Sequence, residues 1–143
     1  MSITIKEVLR MKEWKDCRLV AGEQGMDREV LYIDSMEVPD ITPWLKKNEL
    51  LITTGYAMNS SEDVLLDILR AMAQAQSAGI ALKTKFFGEI TGKIKDEADA
   101  LKIPVIEVPR DMPFIDLANP LMKKIVDEQN QKLKFNKDMN EKF

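Results

Sequence analysis

The amino-acid sequence predicts an α/β protein: a single domain with a mostly parallel sheet built from βαβ units, helices packed on that sheet, and a helical stem at the C-terminus. Three short apolar runs carry the prediction: Leu50–Thr54, Gly79–Thr84 and Pro104–Val108. Parallel strands that are buried on both faces read as continuous apolar runs. Helical patterns separate the three runs, and strands that alternate with helices are typical of a parallel sheet.

The composition is that of an ordinary globular protein and leaves few kinds of chemistry open. The chain has 143 residues, 45% hydrophobic and 31% charged, which is enough for one domain with a buried core. Its net charge of −3 argues against attraction of the whole surface to nucleic acid. With no histidine and one cysteine, we expect no disulfide, metal site or cofactor. No apolar run is long enough to cross a membrane, and we expect a cytoplasmic protein.

The first third of the chain is predicted to hold one helix and two strands. The helix follows Thr4, whose side chain can cap its first turn. Arg18–Gly22 is a short strand that leads into a glycine-rich turn. Val30–Val38 alternates in polarity and is predicted to be a strand that Pro39 ends. Pro43 then indicates the start of a single helical turn.

Three helices are predicted in the remainder of the chain. The first, Ser61–Ala78, has apolar residues at helical spacing, and Gly79 is its expected stop. The second is expected at about Ile90–Leu101. The last is Pro113–Gln131, and Pro120 inside it is expected to kink or split it.

The organisation along the chain predicts a domain at residues 1–126 and a polar helical stem at residues 127–143. From Asp127 onward the residues are mostly charged or amide-bearing, with only four apolar residues among them. We expect the stem to lead towards a C-terminal region that this chain lacks.

Polar side chains follow each of the three apolar strands at the point where it ends. Thr53, Thr54 and Gly55 follow the first, Lys83 the second and Arg110 the third. Because these ends share one edge of a parallel sheet, the groups are expected to converge there. Such a set suits an anionic or amide-rich small molecule. The alternative is that the hydroxyls and the glycine only build the strand-to-helix turn.

Two carboxylates and the cysteine are further candidates. Glu37 and Asp40 bracket a Val-Pro pair and are possible acceptors for a ligand or an acid/base pair, although such residues more often cap turns. Cys17 has no histidine to activate it, which favours a structural thiol over a nucleophile.

Taken together, these segments resemble the N-terminal domain of the purine catabolism regulator (PucR-like) family of bacterial transcription factors. The resemblance covers about Ile5 to Val126 in the family's order. It is carried by Arg18–Gly22, Gly25–Val30, Glu37–Asp40, Trp44–Leu45, Glu49–Gly55, Gly79–Lys83 and Ile103–Phe114.

The resemblance implies a sensory or regulatory domain, not an enzyme, followed in the parent protein by a helix-turn-helix region that binds DNA. It implies a small-molecule effector, such as a purine metabolite. The family segments Glu37–Asp40, Thr53–Gly55 and Pro109–Arg110 coincide with the strand ends. The candidate ligand-binding residues are therefore Thr53, Thr54, Gly55, Lys83, Arg110, Glu37 and Asp40. A homodimer is also expected. The alternative is a dimerisation or protein-docking module without a ligand, whose contact surface would be Trp44, Met58, Phe86, Phe87 and the final helix.

Overall fold

A five-stranded sheet organises the computed structural model, which describes residues 3–141 and the side chains up to Lys134. The strands are β1 (Arg18–Ala21), β2 (Tyr32–Ser35), β3 (Glu49–Thr53), β4 (Gly79–Leu82) and β5 (Val105–Glu107). Their order is β1-β5-β4-β3-β2. Strands β2 to β5 are parallel, and β1 is antiparallel to β5. The predicted α/β fold with a mostly parallel sheet is therefore confirmed.

Helices cover both faces of this sheet. They are α1 (Ile5–Arg10), α2 (Glu62–Ala75), α3 (Thr84–Phe87), α4 (Gly92–Leu101) and α5 (Phe114–Glu141). Short 3-10 turns lie at Lys12–Trp14, Glu23–Gly25, Thr42–Trp44 and Tyr56–Met58. One apolar core joins α2 and α4 to the sheet, and a second joins α1 and α5 to the opposite face.

The period of two along β3 explains why its sequence is apolar throughout. Leu51 faces the core of α2 and α4, whereas Leu50 and Ile52 face the core of α1 and α5. All five residues of β3 are buried, because a parallel strand between two helical layers has no solvent face.

The helix ends agree with the sequence prediction at the start of α1 and differ from it at the end of α2. Thr4 caps α1 and Ser61 caps α2, each by accepting a backbone N–H of the first turn. The expected stop at Gly79 is wrong: α2 ends at Ala75, and Gln76 follows it in the left-handed conformation at φ 60°. Gly79 instead begins β4, where a Cβ would lie 2.8 Å from the carbonyl oxygen of Pro104.

The structure differs from the sequence prediction in three further elements. Strand β2 has four residues rather than nine, since the Val30 N–H donates to the carbonyl of Ile3 and not to the sheet. Helix α3 is a single turn that the sequence pattern did not indicate. Pro120 does not divide α5, which is one helix across residue 126. The carbonyl that loses its partner belongs to Asp116, an exposed residue that water can reach.

The turn after β1 docks on the C-terminal end of α4. A Cβ on Gly22 would lie 2.0 Å from the Ile103 carbonyl oxygen, and one on Gly25 would lie 2.1 Å from that of Lys102. Arg28 donates to the carbonyls of Lys102 (2.6 Å) and Leu101 (3.3 Å) at this helix end. The glycines allow this close approach, and the guanidinium satisfies carbonyls at the helix end that have no partner within the helix.

We expect Gly25→Ala to lower the free energy of unfolding by about 3 kcal/mol, because a methyl group cannot fit against a backbone carbonyl without moving it. Gly92→Ala is the matched control, since a Cβ there meets nothing within 4 Å. It should be neutral or stabilising by up to about 1 kcal/mol. Urea unfolding of both variants measures the difference, and equal stabilities would contradict the docking argument.

Candidate functional site

The carboxylate of Glu37 joins the turn after β2 to the end of β3. Its Oε1 accepts from the backbone N–H of Thr54 at 2.7 Å and from the Thr53 hydroxyl at 3.2 Å. Its Oε2 accepts from the hydroxyl of Thr54. Three donors on one exposed carboxylate make a polar clamp at the carboxyl-terminal edge of the sheet, and hydrogen bonds to a charged acceptor are the stronger kind.

The two threonines also build the turn that leaves β3. The Thr53 hydroxyl accepts from the Gly55 N–H at 3.1 Å, and the Thr54 hydroxyl accepts from the Tyr56 N–H at 3.2 Å. Gly55 lies in the left-handed region at φ 78°, and a Cβ there would be 2.8 Å from the Cβ of Phe87. A glycine is needed for both reasons. The hydroxyls therefore hold the turn and the carboxylate together.

Lys83 links the end of β4 to the beginning of α5. Its backbone N–H donates to the Thr53 carbonyl at 3.3 Å. Its ammonium group donates to the Arg110 carbonyl at 2.9 Å and lies 4.8 Å from the centre of the Phe114 ring. This buried lysine is consequently tied to three neighbouring segments of the chain.

The structure brings some of the predicted site residues together and separates others. Glu37, Thr53, Thr54 and Gly55 form one hydrogen-bonded group, and Lys83 is bonded to it through its backbone. Arg110 approaches this group through its carbonyl only. Its exposed guanidinium lies over the ring of Phe86, 5.8 Å from the ring centre.

Asp40 belongs to a separate turn. It accepts from the hydroxyl of Thr42 at 2.7 Å and from the Thr42 backbone N–H at 3.0 Å. The same two hydrogen bonds lower the pKa of this exposed carboxyl, and the bond from the hydroxyl has the larger effect. Asp40 thus caps the turn at Thr42–Trp44 in the structure and makes no hydrogen bond with Glu37 among the described contacts.

Five clefts among the described residues are lined by other side chains than these seven. The nearest to the strand ends, of about 200 Å³, contains Thr84 and Glu107. Glu107 accepts there from the Thr84 hydroxyl at 2.9 Å and from the Arg18 guanidinium at 3.2 Å. Within the predicted site, Glu37, Thr53, Thr54 and Gly55 are hydrogen-bonded to one another at the sheet edge.

A buried carboxylate that the sequence analysis did not single out lies at the opposite end of β3. Glu49 is 2% exposed, and its Oε1 has no hydrogen-bond partner among the described residues. It lines a cleft of about 500 Å³ together with Tyr32, Asp34 and Lys46. Burial, and then the neighbouring Asp34 carboxylate, raise the pKa of Glu49 against the opposing effect of Lys46. The available signal was a charged residue at the first position of a wholly apolar strand.

The remaining chemical candidate is Cys17. Burial, with a smaller effect of the Asp16 carboxylate, raises the pKa of its thiol to about 11, so the thiolate is scarce at neutral pH. Among the described side chains, which extend to Lys134, no group is placed to hold a metal ion, and no helix within the described residues is long and apolar enough to span a membrane.

The residues of the alternative docking surface differ in accessibility. Met58 and Phe87 are 3% and 1% exposed and belong to the core of α2 and α4, so they are not available for a partner. Trp44 and Phe86 are exposed, as are several apolar residues of α5.

Comparison with known proteins places the chain in a class of regulatory proteins. Residues 7–125 match the purine catabolism regulatory protein-like family. The chain is 33% identical over 132 residues to the purine catabolism regulatory protein of Bacillus subtilis (strain 168), which covers 92% of this chain and 25% of that protein. It is 30% identical over 98 residues to the transcriptional activator PmfR of Paenarthrobacter nicotinovorans, which covers 68% of this chain and 21% of that protein.

The chain belongs to the purine catabolism regulatory protein-like family, as its sequence motifs had indicated. It spans about a quarter of the length of the first of these relatives and about a fifth of the second.

Because its pKa is raised, Glu49 should destabilise the fold at neutral pH. The folded state holds the proton to higher pH than the unfolded chain does, so stability falls as pH rises from about 4.3, the ordinary glutamate pKa, through the raised value. We expect Glu49→Gln to increase the free energy of unfolding at pH 7 by about 1 kcal/mol. The gain should shrink as the pH approaches 4.

Urea unfolding between pH 4 and pH 7 measures this dependence. Glu89→Gln, at an exposed position, is the control and should change stability by less than about 0.5 kcal/mol. A Glu49→Gln effect that is absent at pH 7, or that is the same at both pH values, would show that the carboxylate is not held in an unfavourable charged state.

Proposed function

We propose that this chain is the ligand-sensing domain of a transcriptional regulator, and that the effector binds at the sheet edge around Glu37, Thr53 and Thr54. Two facts support this assignment. The relatives are named as a catabolism regulator and a transcriptional activator. The carboxyl-terminal edge of a parallel sheet is also where ligands of open α/β folds commonly bind.

The single observation that carries the proposal is the link through Lys83. Its backbone is bonded to Thr53 in the candidate site, and its ammonium group is bonded to the Arg110 carbonyl just before α5. The same group lies over the ring of Phe114, the first residue of α5. A ligand that moves the end of β3 therefore acts, through Lys83, on groups that hold the start of α5.

The chemistry of the site favours a small molecule that has both N–H donors and carbonyl acceptors. N–H groups would compete with the threonine donors for the Glu37 carboxylate, and Arg110 offers an exposed guanidinium to an acceptor. Purine metabolites have this pattern, and one relative is named for purine catabolism. A neutral lactam ring is thus the first class of effector to test.

The proposed mechanism is a shift of population between two positions of α5. The ligand favours the position of α5 that its contacts stabilise. The free energy of this shift cannot exceed the difference between the ligand's binding free energies for the two positions. Helix α5 would pass the change to a DNA-binding region outside this chain, in the part of the regulator that the relatives' greater length represents.

Calorimetric titration with xanthine and hypoxanthine tests the site. We expect saturable binding to the 143-residue chain and a loss of affinity of at least about tenfold in Glu37→Gln, since hydrogen bonds to a charged group contribute about 1.5–3 kcal/mol. Asp96→Asn removes an exposed carboxylate on α4 and is the matched control. Thermal unfolding of both variants verifies that they are folded.

Hydrogen exchange tests the relay separately. Bound ligand is expected to change the exchange rates of backbone amides at residues 112–118. Binding without such a change would be consistent with the proposed ligand site but would reject the relay through Lys83. If a broad panel of purines and their breakdown products gives no measurable heat of binding, the proposal of a purine effector is rejected.

A further inference from the structure

Helix α5 has an exposed apolar stripe that no part of the described chain covers. The stripe consists of Ile115, Met122, Val126 and Leu133, which are between 46% and 66% exposed. At about 100° per residue, all four lie within about 20° of one line along the helix and extend over about 27 Å. The buried residues of α5, Leu117, Leu121 and Ile125, lie on a different side of it.

The second half of α5 also lacks support from the domain. Ile125 is the last buried residue of the helix among those described, and residues 127–134 are exposed apart from the half-buried Glu128. An isolated helical segment of this length is marginal in water, and most helices are stabilised by packing of one face. The stripe is the apolar face that remains available for this.

The stripe is symmetric along the helix. Ile115 and Leu133 lie nine residues on either side of residue 124, and Met122 and Val126 lie two residues on either side. When two such helices run antiparallel about a two-fold axis, Ile115 of each copy meets Leu133 of the other. Met122 then meets Val126 in the same way, so every residue of the stripe has an apolar partner.

The charged residues beside the stripe are also arranged symmetrically with opposite signs, about residue 125, one residue from the centre of the stripe. Asp116, Lys123, Asp127 and Lys134 are exposed and lie on one side of the stripe, about 80–120° from it. In the antiparallel pair this side faces the same side of the other copy. Asp116 then lies within two residues, about 3 Å along the axis, of the level of Lys134 in the other copy, and Lys123 lies equally close to the level of Asp127. None of the four has an ion-pair partner within the described part of the chain.

A parallel pair lacks this match. Its two-fold axis runs along the helices, so the charged side of one helix would face the other side of its partner. That side carries Ala118 and Gln129 near the stripe and one charged residue, Lys132, at a comparable angle, so a parallel pair can match only part of the charge pattern. Charge pairing beside an apolar seam sets partner and orientation in helical assemblies.

We propose that α5 is a dimerisation helix that packs antiparallel against α5 of a second copy of this chain. The interface is isologous, with the same stripe on both copies. Its two-fold axis lies at the level of residue 124 along the helix, and its modest length predicts a dissociation constant in the micromolar range. The inference does not depend on the proposed ligand and is tested without one.

Sedimentation equilibrium over a range of concentrations tests association. The 143-residue chain should dimerise, and Met122→Asp should raise the dissociation constant at least tenfold by placing a charge in the apolar seam. Gln131→Asp introduces the same charge at an exposed position away from the stripe and should leave the constant unchanged. A monomer at millimolar concentration, or equal effects of the two variants, would overturn the proposal.

Disulfide trapping tests the orientation. In a Cys17→Ser background, a mixture of Ile115→Cys and Leu133→Cys chains should form a cross-linked dimer. Leu133→Cys alone should not, because its two sulfur atoms would be about 27 Å apart in the antiparallel pair. Rapid cross-linking of Leu133→Cys with itself would show a parallel pair and overturn the proposal.

Charge exchange is an independent measure of register. Asp116→Lys places like charges opposite each other at both ends of the interface and should weaken the dimer. The double change Asp116→Lys with Lys134→Asp should restore it, because the two positions face each other only in the antiparallel register. A double variant as weak as the single one would reject this register.

Discussion

Burial of β3 and β4 on both faces is the constraint on which the rest of the structure depends. Every residue of these two strands is buried, so helices must cover both sides, and the connections must cross over the sheet. A consequence is that the carboxyl ends of β3, β4 and β5 lie along one edge. The polar residues that follow the strands lie at this edge because apolar core residues occupy both faces of the strands.

At that edge the same groups build the structure and form the candidate site. Glu37 holds the turn after β3 through two threonines, and Lys83 holds the loop before α5. Glu37 and the two threonines are already hydrogen-bonded to one another, so a ligand that binds Glu37 would have to replace existing hydrogen bonds with its own. This suits a sensor better than a permanent cofactor site, since the exchange itself moves the segments that the groups connect.

The family motifs divide into structural and candidate functional parts. Gly22, Gly25 and Arg28 pack against the carbonyls that end α4 and have no contact with the sheet edge. Glu37 and the Thr53–Gly55 turn lie at the edge itself. The range 7–125 that matches the family therefore includes segments whose role in this structure is close backbone packing.

The sequence alone determined the α/β class, the three buried strands, the caps at Thr4 and Ser61, and the family, because these depend on local periodicity and spacing. It did not determine that β1 is antiparallel, that α2 ends at Gln76, or that α5 is continuous through Pro120. The first two features depend on partners distant in the chain, and the third depends on the exposure of Asp116 to water. The tertiary structure alone decided that Glu37, and not Asp40, joins the threonines. It also decided that Glu49 is buried, with its Oε1 unpaired among the described residues, and that the apolar stripe of α5 is exposed, since the position of a side chain relative to core and solvent is set by packing.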